Sequence, residues 1–172
     1  LLKTHHPLVV VMAANNETGV IQPIAEIGAM VRSHGSLFFC DAIQAAGKIP
    51  LSMKGMNIDI LSLSAHKIGG AAGVGALVVR DGIVLKPLLR GGGQELRRRA
   101  GTENLAGCVG FGLAARLAMQ GLSSYSKVST LRNDLESQLV DSFPEISIFA
   151  EITHRLPNTS CFALPNMRAE TM

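Results

Sequence analysis

The sequence predicts an α/β fold, with a mainly parallel sheet and flanking helices, followed by the start of a smaller α+β unit. Three observations predict this class. Short apolar runs alternate with a helical pattern, several of these runs end in polar residues, and 47% of the 172 residues are apolar against 17% charged. The composition is typical of a folded globular chain, and alternating strands and helices are typical of a parallel sheet.

The predicted strands are short runs that end at polar residues. The first covers residues 8–14 and is rich in β-branched side chains, as expected for a parallel strand buried on both faces. The next two cover 37–40, ending at Asp41, and 58–63, ending at Ser64. Because ligands bind beyond the carboxyl ends of the strands in such sheets, these polar ends mark a candidate site.

The first predicted helix opens at Pro23 and closes at Gly35, with apolar residues between them at 24, 27 and 31. Proline first and glycine last is the usual asymmetry of helices. Further along, Asp81 and Gly82 suit a tight turn between strands at 74–79 and 83–88. That hairpin is expected at the edge of the sheet.

Two more helices are predicted over 103–120 and 124–143, the second ended by Pro144. Strand-like runs at 146–148 and 159–164 are assigned to a different unit. We therefore expect a large domain over residues 1–121 and the beginning of a small domain over 122–172. Both ends of the sequence look cut, because it starts at a leucine and stops soon after a strand-like run.

Charge and cysteine content limit the classes of partner. The net charge of +3 is matched by Arg97–Arg99 alone, and basic residues are not interleaved with aromatics, so no nucleic-acid partner is expected. The run at 8–14 is too short to span a membrane. Cys40, Cys108 and Cys161 are odd in number and widely spaced, which favours neither a disulfide framework nor a metal site. We expect a cytoplasmic protein in which Cys40 and Cys108 are buried, inert thiols.

Lys67 stands out by its neighbours. A lysine after a strand is most often a solvated surface residue, but this one follows Ser64 and His66 and precedes a glycine-rich run at 69–73. A lysine that forms a Schiff base needs a partly dry pocket with polar groups nearby. Its place at the functional edge of the predicted sheet favours that role.

Asp41, Asn16 and Gln44 each have a structural and a chemical interpretation. Asp41 is either a helix N-cap or the carboxylate that keeps the ring nitrogen of pyridoxal phosphate protonated. Asn16 either caps a turn or donates to the phenolic oxygen of that ring, and Gln44 is either a solvated surface residue or a second such donor. The glycines at 91–93 are only a weak signal for phosphate binding.

A hydrolase triad of Ser64, His66 and Asp41 is the rival chemical interpretation. No G-x-S-x-G motif is present in the sequence. A serine and a histidine two residues apart at a strand end are not expected to face each other. The triad is therefore disfavoured.

Four segments in order resemble the cysteine desulfurase family of fold-type I pyridoxal-phosphate enzymes, and selenocysteine lyases share the pattern. They are Asn15–Gly19, Asp41–Gln44, Ser64–Lys67 and Gly91–Asn104. The resemblance covers nearly the whole chain. It implies the large domain of an aspartate aminotransferase-like, class V aminotransferase fold.

The resemblance also implies roles for individual residues. Lys67 would carry pyridoxal phosphate as a Schiff base, Asp41 would pair with the pyridine nitrogen, and Asn16 and Gln44 would lie near the phenolic oxygen. No metal is implied.

Three further residues are implied to bind the phosphate. Ser64 and His66 would hold it within one subunit, and Thr102 would reach the phosphate of the neighbouring subunit. The active protein is therefore expected to be a homodimer with shared sites.

The reaction implied is removal of sulfur from L-cysteine, giving L-alanine and an enzyme persulfide for iron–sulfur cluster assembly or other sulfur transfer. A sulfur-acceptor or scaffold protein is the expected partner. The family's nucleophilic cysteine is expected beyond this sequence, since none of the three cysteines matches it, so the piece alone is expected to be inactive. The alternatives are a selenocysteine lyase, a pyridoxal-phosphate aminotransferase, or a non-catalytic dimerisation scaffold of the same fold.

Overall fold

The computed structural model describes residues 7–125 and 127–169. Its central sheet contains four strands in chain order, β1 (Leu8–Met12), β2 (Leu37–Asp41), β3 (Ile60–Ser64) and β4 (Gly75–Val79). The first three run parallel, and β4 runs antiparallel to β3. The mainly parallel sheet predicted from the sequence is confirmed.

The helices lie between and after these strands. The three α-helices are α1 (Ile24–Ser33), α2 (Leu105–Tyr125) and α3 (Lys127–Ser142). Two short 3-10 turns cover Ala65–Ile68 and Gln94–Arg97. A separate two-stranded sheet pairs β5 (Ser147–Ile148) with β6 (Phe162–Ala163).

Helix α1 follows the prediction closely. Pro23 is its N-cap, Ile24 and Val31 are buried, and Gly35 takes the left-handed conformation with a φ of 64° just beyond the helix. Proline fits a helix start because no backbone donor is lost there, and glycine fits the left-handed position because it has no Cβ. The helix therefore connects β1 to β2 and covers one face of the sheet.

The core lies between this helix and the sheet. Its most buried large side chains are Phe38, Cys40, Ile58 and Leu156, all at 2% exposure or less. Leu156 comes from the predicted small domain, and the neighbouring His154 accepts a hydrogen bond from the backbone of Ile21 at 2.9 Å. The C-terminal region thus contributes a side chain to the core between α1 and the central sheet.

Helix α2 runs through Gly121 to Tyr125, five residues past its predicted end at residue 120. Glycine inside an exposed helix costs only about 1 kcal/mol, which the flanking helix formers offset. The division into domains of 1–121 and 122–172 stays a prediction.

Burial of β1 on both faces, expected from its apolar run, is wrong. Leu8 and Val10 are 51% and 57% exposed, because β1 is an edge strand and only one of its faces meets the core. Apolar composition alone does not specify how many faces of a strand are covered.

The hairpin predicted around Asp81 and Gly82 is also wrong in its second half. The turn forms, with Gly82 at a φ of 85°, but residues 83–88 make no strand. Val84 and Leu88 are 89% and 92% exposed. With no burial of these side chains, little offsets the entropy lost on ordering a further edge strand.

By length and composition alone, α2 is the one helix among the described residues that could cross a membrane. This is a weak indication, since packed helices of soluble proteins share those properties. The helix contacts the 3-10 turn at Ala65–Ile68 and buries Ala114. A stripe of its apolar residues, spaced four apart, is exposed: Leu105, Val109, Leu113 and Leu117.

Candidate active site

The carboxyl ends of three parallel strands define the candidate site. In the register of the sheet, Met12 of β1 pairs with Asp41 of β2, and Asp41 pairs with Ser62 of β3. The 3-10 turn that carries Lys67 follows β3 directly. The structure therefore places Asp41 and Lys67 after neighbouring strands, at one edge of the sheet.

The carboxylate of Asp41 is held through one of its two oxygens. Oδ1 accepts the backbone N–H of Ile43 at 3.0 Å and the hydroxyl of Ser62 at 3.1 Å. The first contact caps a turn after β2 and not a helix, so the helix N-cap interpretation of Asp41 is wrong. Oδ2 accepts no hydrogen bond from the residues that the structure describes, which leaves it able to accept one from a ligand.

Lys67 is exposed, and its ammonium has no hydrogen bond or ion pair within residues 7–125 and 127–169. Its charge nevertheless acts on a second amine. The pKa of Lys48 is lowered by burial first and by the positive charge of Lys67 second. The two amines therefore lie in the same neighbourhood.

Gln44 is half-buried rather than solvated. Its Oε1 accepts a hydrogen bond from Lys48 Nζ at 3.0 Å. Gln44 lies three residues after Asp41, in the turn that Asp41 caps, so its amide belongs to the same edge of the sheet.

Ser64 and His66 do face each other, contrary to expectation. The Ser64 hydroxyl lies 2.8 Å from His66 Nδ1. The contact forms because the chain leaves β3 at Ser64 and enters a 3-10 turn, which brings the next side chains round to the strand end. The hydrolase triad is still absent, because the bonds of Asp41 go to Ser62 and Ile43 and not to His66.

Among the described residues, neither Asn16 nor Thr102 makes a hydrogen bond to another candidate site residue. Asn16 is exposed beyond β1 and donates to Glu17 Oε1 at 2.6 Å. The turn there is capped by Asn15, whose Oδ1 accepts the backbone N–H groups of Glu17 and Thr18. Thr102 is exposed before α2 and makes no hydrogen bond within the described part of the chain.

The segment between β4 and α2 is an exposed loop. Glu95, Leu96 and Arg97 all have positive φ, and the arginines at 97–99 are exposed. Gln94 Oε1 accepts the backbone N–H of Gly101 at 3.3 Å, which closes the part of the loop that contains the three arginines. Nothing in this geometry forms a phosphate cradle from the glycines at 91–93.

The cysteines differ sharply in environment. Cys40 is fully buried, and burial, with a smaller contribution from the charge of Asp41, raises its thiol pKa to about 11. Cys108 is exposed, so the expectation of burial was wrong for it. Apolar neighbours in the sequence misled the prediction, because Cys108 lines an open apolar cavity between α2 and the sheet, with Leu61 and Leu63 on its other side, and is not covered.

Sequence reasoning missed two residues of this site. Ser62 was a visible candidate, because it is polar within an apolar strand and two residues before Ser64, which places both on one face. Lys48 gave a weaker signal. Its spacing of four from Gln44 matters only because the intervening residues form a helical-type turn.

The residues present fit pyridoxal phosphate. Oδ2 of Asp41 suits a pyridinium N–H and the amine of Lys67 suits an aldehyde, since both lack partners within the described ranges. The hydroxyl of Ser64 and the imidazole of His66 suit a phosphate. The donor set at this edge therefore matches the three ends of the molecule.

Known proteins resemble this chain in sequence and in structure. The chain matches the family model "Aminotransferase class-V" over residues 1–172. It is 48% identical over 166 residues to a cysteine desulfurase of Nostoc sp. strain PCC 7120, covering 96% of this chain but 42% of that protein. The chain thus spans less than half the length of that relative.

Solved structures give the same fold. The chain superposes on a NifS-like protein of Rickettsia africae ESF-5 with a TM-score of 0.91 and 39% identity, over 95% of this chain and 46% of that one. It also matches a structure titled "SspA in complex with cysteine" with a TM-score of 0.62 and 45% identity, over 63% of this chain and 32% of that one. The chain belongs to the class-V aminotransferase family.

Proposed function

We propose that the whole protein is a pyridoxal-phosphate-dependent cysteine desulfurase. The observation that carries the proposal concerns Lys67 and Asp41 at the same sheet edge. Neither the amine of Lys67 nor Oδ2 of Asp41 has a partner among the residues that the structure describes. Relatives such as the Nostoc protein carry the name cysteine desulfurase, which supports the same activity here.

Each residue has a task that its own geometry supports. Asp41 would hold a proton on the ring nitrogen, with Ser62 and the backbone of Ile43 fixing its carboxylate. When bound, pyridoxal phosphate supplies an electron sink for the substrate carbon. Lys67 would hold the cofactor and then, once released, move protons at the substrate carbon.

The proposed reaction transfers one sulfur atom. The carbon–sulfur bond of L-cysteine breaks, a sulfur–sulfur bond to an enzyme thiol forms, and the substrate carbon gains a proton to leave as L-alanine. The cysteine in the SspA structure supports this choice of substrate. Cys40 is unsuited as the attacking thiol, because it is buried and its pKa is raised to about 11.

The partners are proposed from the resemblance to the cysteine desulfurase family. A homodimer would let Thr102 of each subunit serve its neighbour's site, which fits an exposed threonine that makes no hydrogen bond to any described residue. The persulfide would pass to an acceptor or scaffold protein for iron–sulfur cluster assembly or other sulfur transfer, in the cytoplasm. No nucleic-acid or membrane partner is proposed.

The test is a product assay on the full-length protein loaded with pyridoxal phosphate. L-cysteine should yield alanine and sulfide in equal amounts in the presence of a reductant. Lys67→Ala should abolish both products, whereas Lys54→Ala, at an exposed lysine in a turn, should change neither. Release of a keto acid instead would establish an aminotransferase, and a dimer that binds no cofactor would establish a scaffold.

A preference for selenocysteine over cysteine is the remaining alternative. It is decided by running the same assay on both substrates. A value of kcat/KM many times higher for selenocysteine would make the protein a selenocysteine lyase.

A further inference from the structure

Lys48 lies in a short turn that starts at the candidate active site. Asp41 caps the beginning of this turn through Ile43, and backbone hydrogen bonds from Ala46 to Ala42 and from Lys48 to Ala45 continue it. The turn brings the side chains four residues apart, those of Gln44 and Lys48, onto one side.

Helix α2 fixes the position of this turn. Gly47 has a φ of 70°, and a Cβ at this residue would lie 2.9 Å from the Cβ of Ala118 in α2. Only glycine combines this backbone conformation with so close an approach to the helix. The residue before Lys48 is therefore packed directly against α2.

The hydrogen bond between Lys48 and Gln44 sets which end of the amide is available. An ammonium carries three donors and no acceptor, so Lys48 can bond only the oxygen of the Gln44 amide. In the structure the contact runs from Nζ to Oε1, at 3.0 Å. The amide nitrogen of Gln44 has no hydrogen-bond partner among the described residues, and it is a donor.

We propose that Lys48 is a positioning residue that orients the Gln44 amide so that its NH₂ group donates to the phenolic oxygen of the cofactor. The inference rests on the proposed function, since it concerns the same site. Without Lys48 the amide is free to turn over and present its oxygen, which would repel a phenolate. The fall in the pKa of Lys48 caused partly by Lys67 supports the proximity of this pair to the site.

The test uses the full-length protein stripped of cofactor, with the dissociation constant for pyridoxal phosphate measured by equilibrium dialysis. Lys48→Met should raise this constant about fivefold to tenfold, the loss expected for one oriented hydrogen bond. Lys54→Met removes the same charge from an exposed turn residue and should leave the constant unchanged. Lys48→Arg keeps a donor at this position and should restore most of the affinity.

Two variants at Gln44 separate orientation of the amide from packing. Gln44→Glu keeps a partner for Lys48 but offers no donor and places a carboxylate near the phenolate, so it should weaken cofactor binding at least as much as Gln44→Ala and shift the cofactor's absorbance maximum. In the Gln44→Ala background, Lys48→Met should have no further effect on the dissociation constant.

The inference would be overturned if Gln44→Glu bound the cofactor with wild-type affinity. It would also be overturned if the double variant raised the dissociation constant by the product of the two single effects of Lys48→Met and Gln44→Ala. Equal effects of Lys48→Met and Lys54→Met would overturn it as well. Each of these results would leave the proposed function intact as long as the cofactor still attaches to Lys67. Failure of the wild-type protein to bind pyridoxal phosphate would instead contradict the proposed function.

Discussion

The hydroxyl of Ser62 donates to Asp41 Oδ1 at 3.1 Å, across the pair of neighbouring parallel strands β2 and β3. This bond leaves Oδ2 of the same carboxylate open at the carboxyl edge of the sheet. A serine on one strand thus fixes the orientation of the acid on the next, close to the turn that carries Lys67.

Asp41→Asn is expected to lower kcat by roughly two to four orders of magnitude. This corresponds to about 3–5 kcal/mol for breaking a buried charge pair, here the carboxylate and the pyridinium. An amide can still accept the bond from Ser62, but it provides no charge opposite a pyridinium. Ser62→Ala should cost only about tenfold, because Ile43 still holds the carboxylate. Steady-state kinetics on both variants measure this; equal losses would show that Asp41 acts through its position alone.

Asp59 is expected to be a major source of stability at the opposite end of the strands. It is 4% exposed, and its carboxylate accepts the backbone N–H of Phe38 at 2.8 Å and Arg80 Nε at 2.6 Å. Asp59→Ala leaves a buried donor unpaired and should lower the free energy of unfolding by about 2–4 kcal/mol. Urea unfolding measures this change.

Arg80→Met is the matched control for Asp59. The arginine side chain is 48% exposed and Arg32 remains 3.9 Å from the same carboxylate, so Arg80→Met should destabilise the protein less than Asp59→Ala. If Arg80→Met were as damaging as Asp59→Ala, the ion pair and not the backbone contact to Phe38 would carry the stability.

Gly28→Ala should destabilise the protein by about 1–3 kcal/mol through overpacking. A Cβ at this position of α1 would clash with the backbone oxygen of Met56, so the helix or the loop that carries Met56 must move. Gly110 in α2 offers a control, since a Cβ there would meet nothing within 4 Å. Gly110→Ala should instead stabilise the protein by up to about 1 kcal/mol in thermal unfolding, because alanine is the better helix former.

Cys40 should resist alkylation in the folded protein. Its pKa is raised from 9.0 to about 11, so at pH 8 very little of the reactive thiolate exists, and the side chain is also shielded. Iodoacetamide at pH 8 should modify it only after unfolding in urea, as followed by mass spectrometry. Rapid labelling of Cys40 in the folded protein would contradict its burial.

The raised pKa of Cys40 makes the stability of the protein depend on pH. Because the unfolded thiol ionises first, the contribution of Cys40 is complete below pH 9.0 and is lost as the pH rises towards about 11. Cys40→Ser carries no group that titrates in this window. The free energy of unfolding of the wild-type protein should therefore fall more steeply between these pH values than that of Cys40→Ser.

The sequence predicted the parallel strands and α1 because their patterns are local. An apolar run of strand length, or a proline and a glycine bracketing a helical period, needs no tertiary information. The prediction of a strand at 83–88 was wrong because a strand there depends on tertiary packing. Val84 and Leu88 remain exposed. Exposure of Cys108 likewise depends on what covers α2, which no local pattern specifies.

Within the site, strand ends were enough to bring Asp41, Ser64 and Lys67 to one edge of the sheet. The contacts that orient them were not predictable in the same way. The Ser64–His66 contact depends on the 3-10 turn after β3, and the Lys48–Gln44 contact depends on the turn that Asp41 caps. Turn geometry of this kind is set by backbone dihedrals that residue spacing alone does not fix.

The central claim is that the amine of Lys67 holds the cofactor. The full-length protein loaded with pyridoxal phosphate is reduced with borohydride, which fixes the cofactor to its amine, and is then digested and mapped by mass spectrometry. The added mass should lie on the peptide containing Lys67 and disappear in Lys67→Arg, with Lys48→Arg still labelled at Lys67. Attachment at Lys48 or any other lysine, or no attachment at all, would contradict the claim.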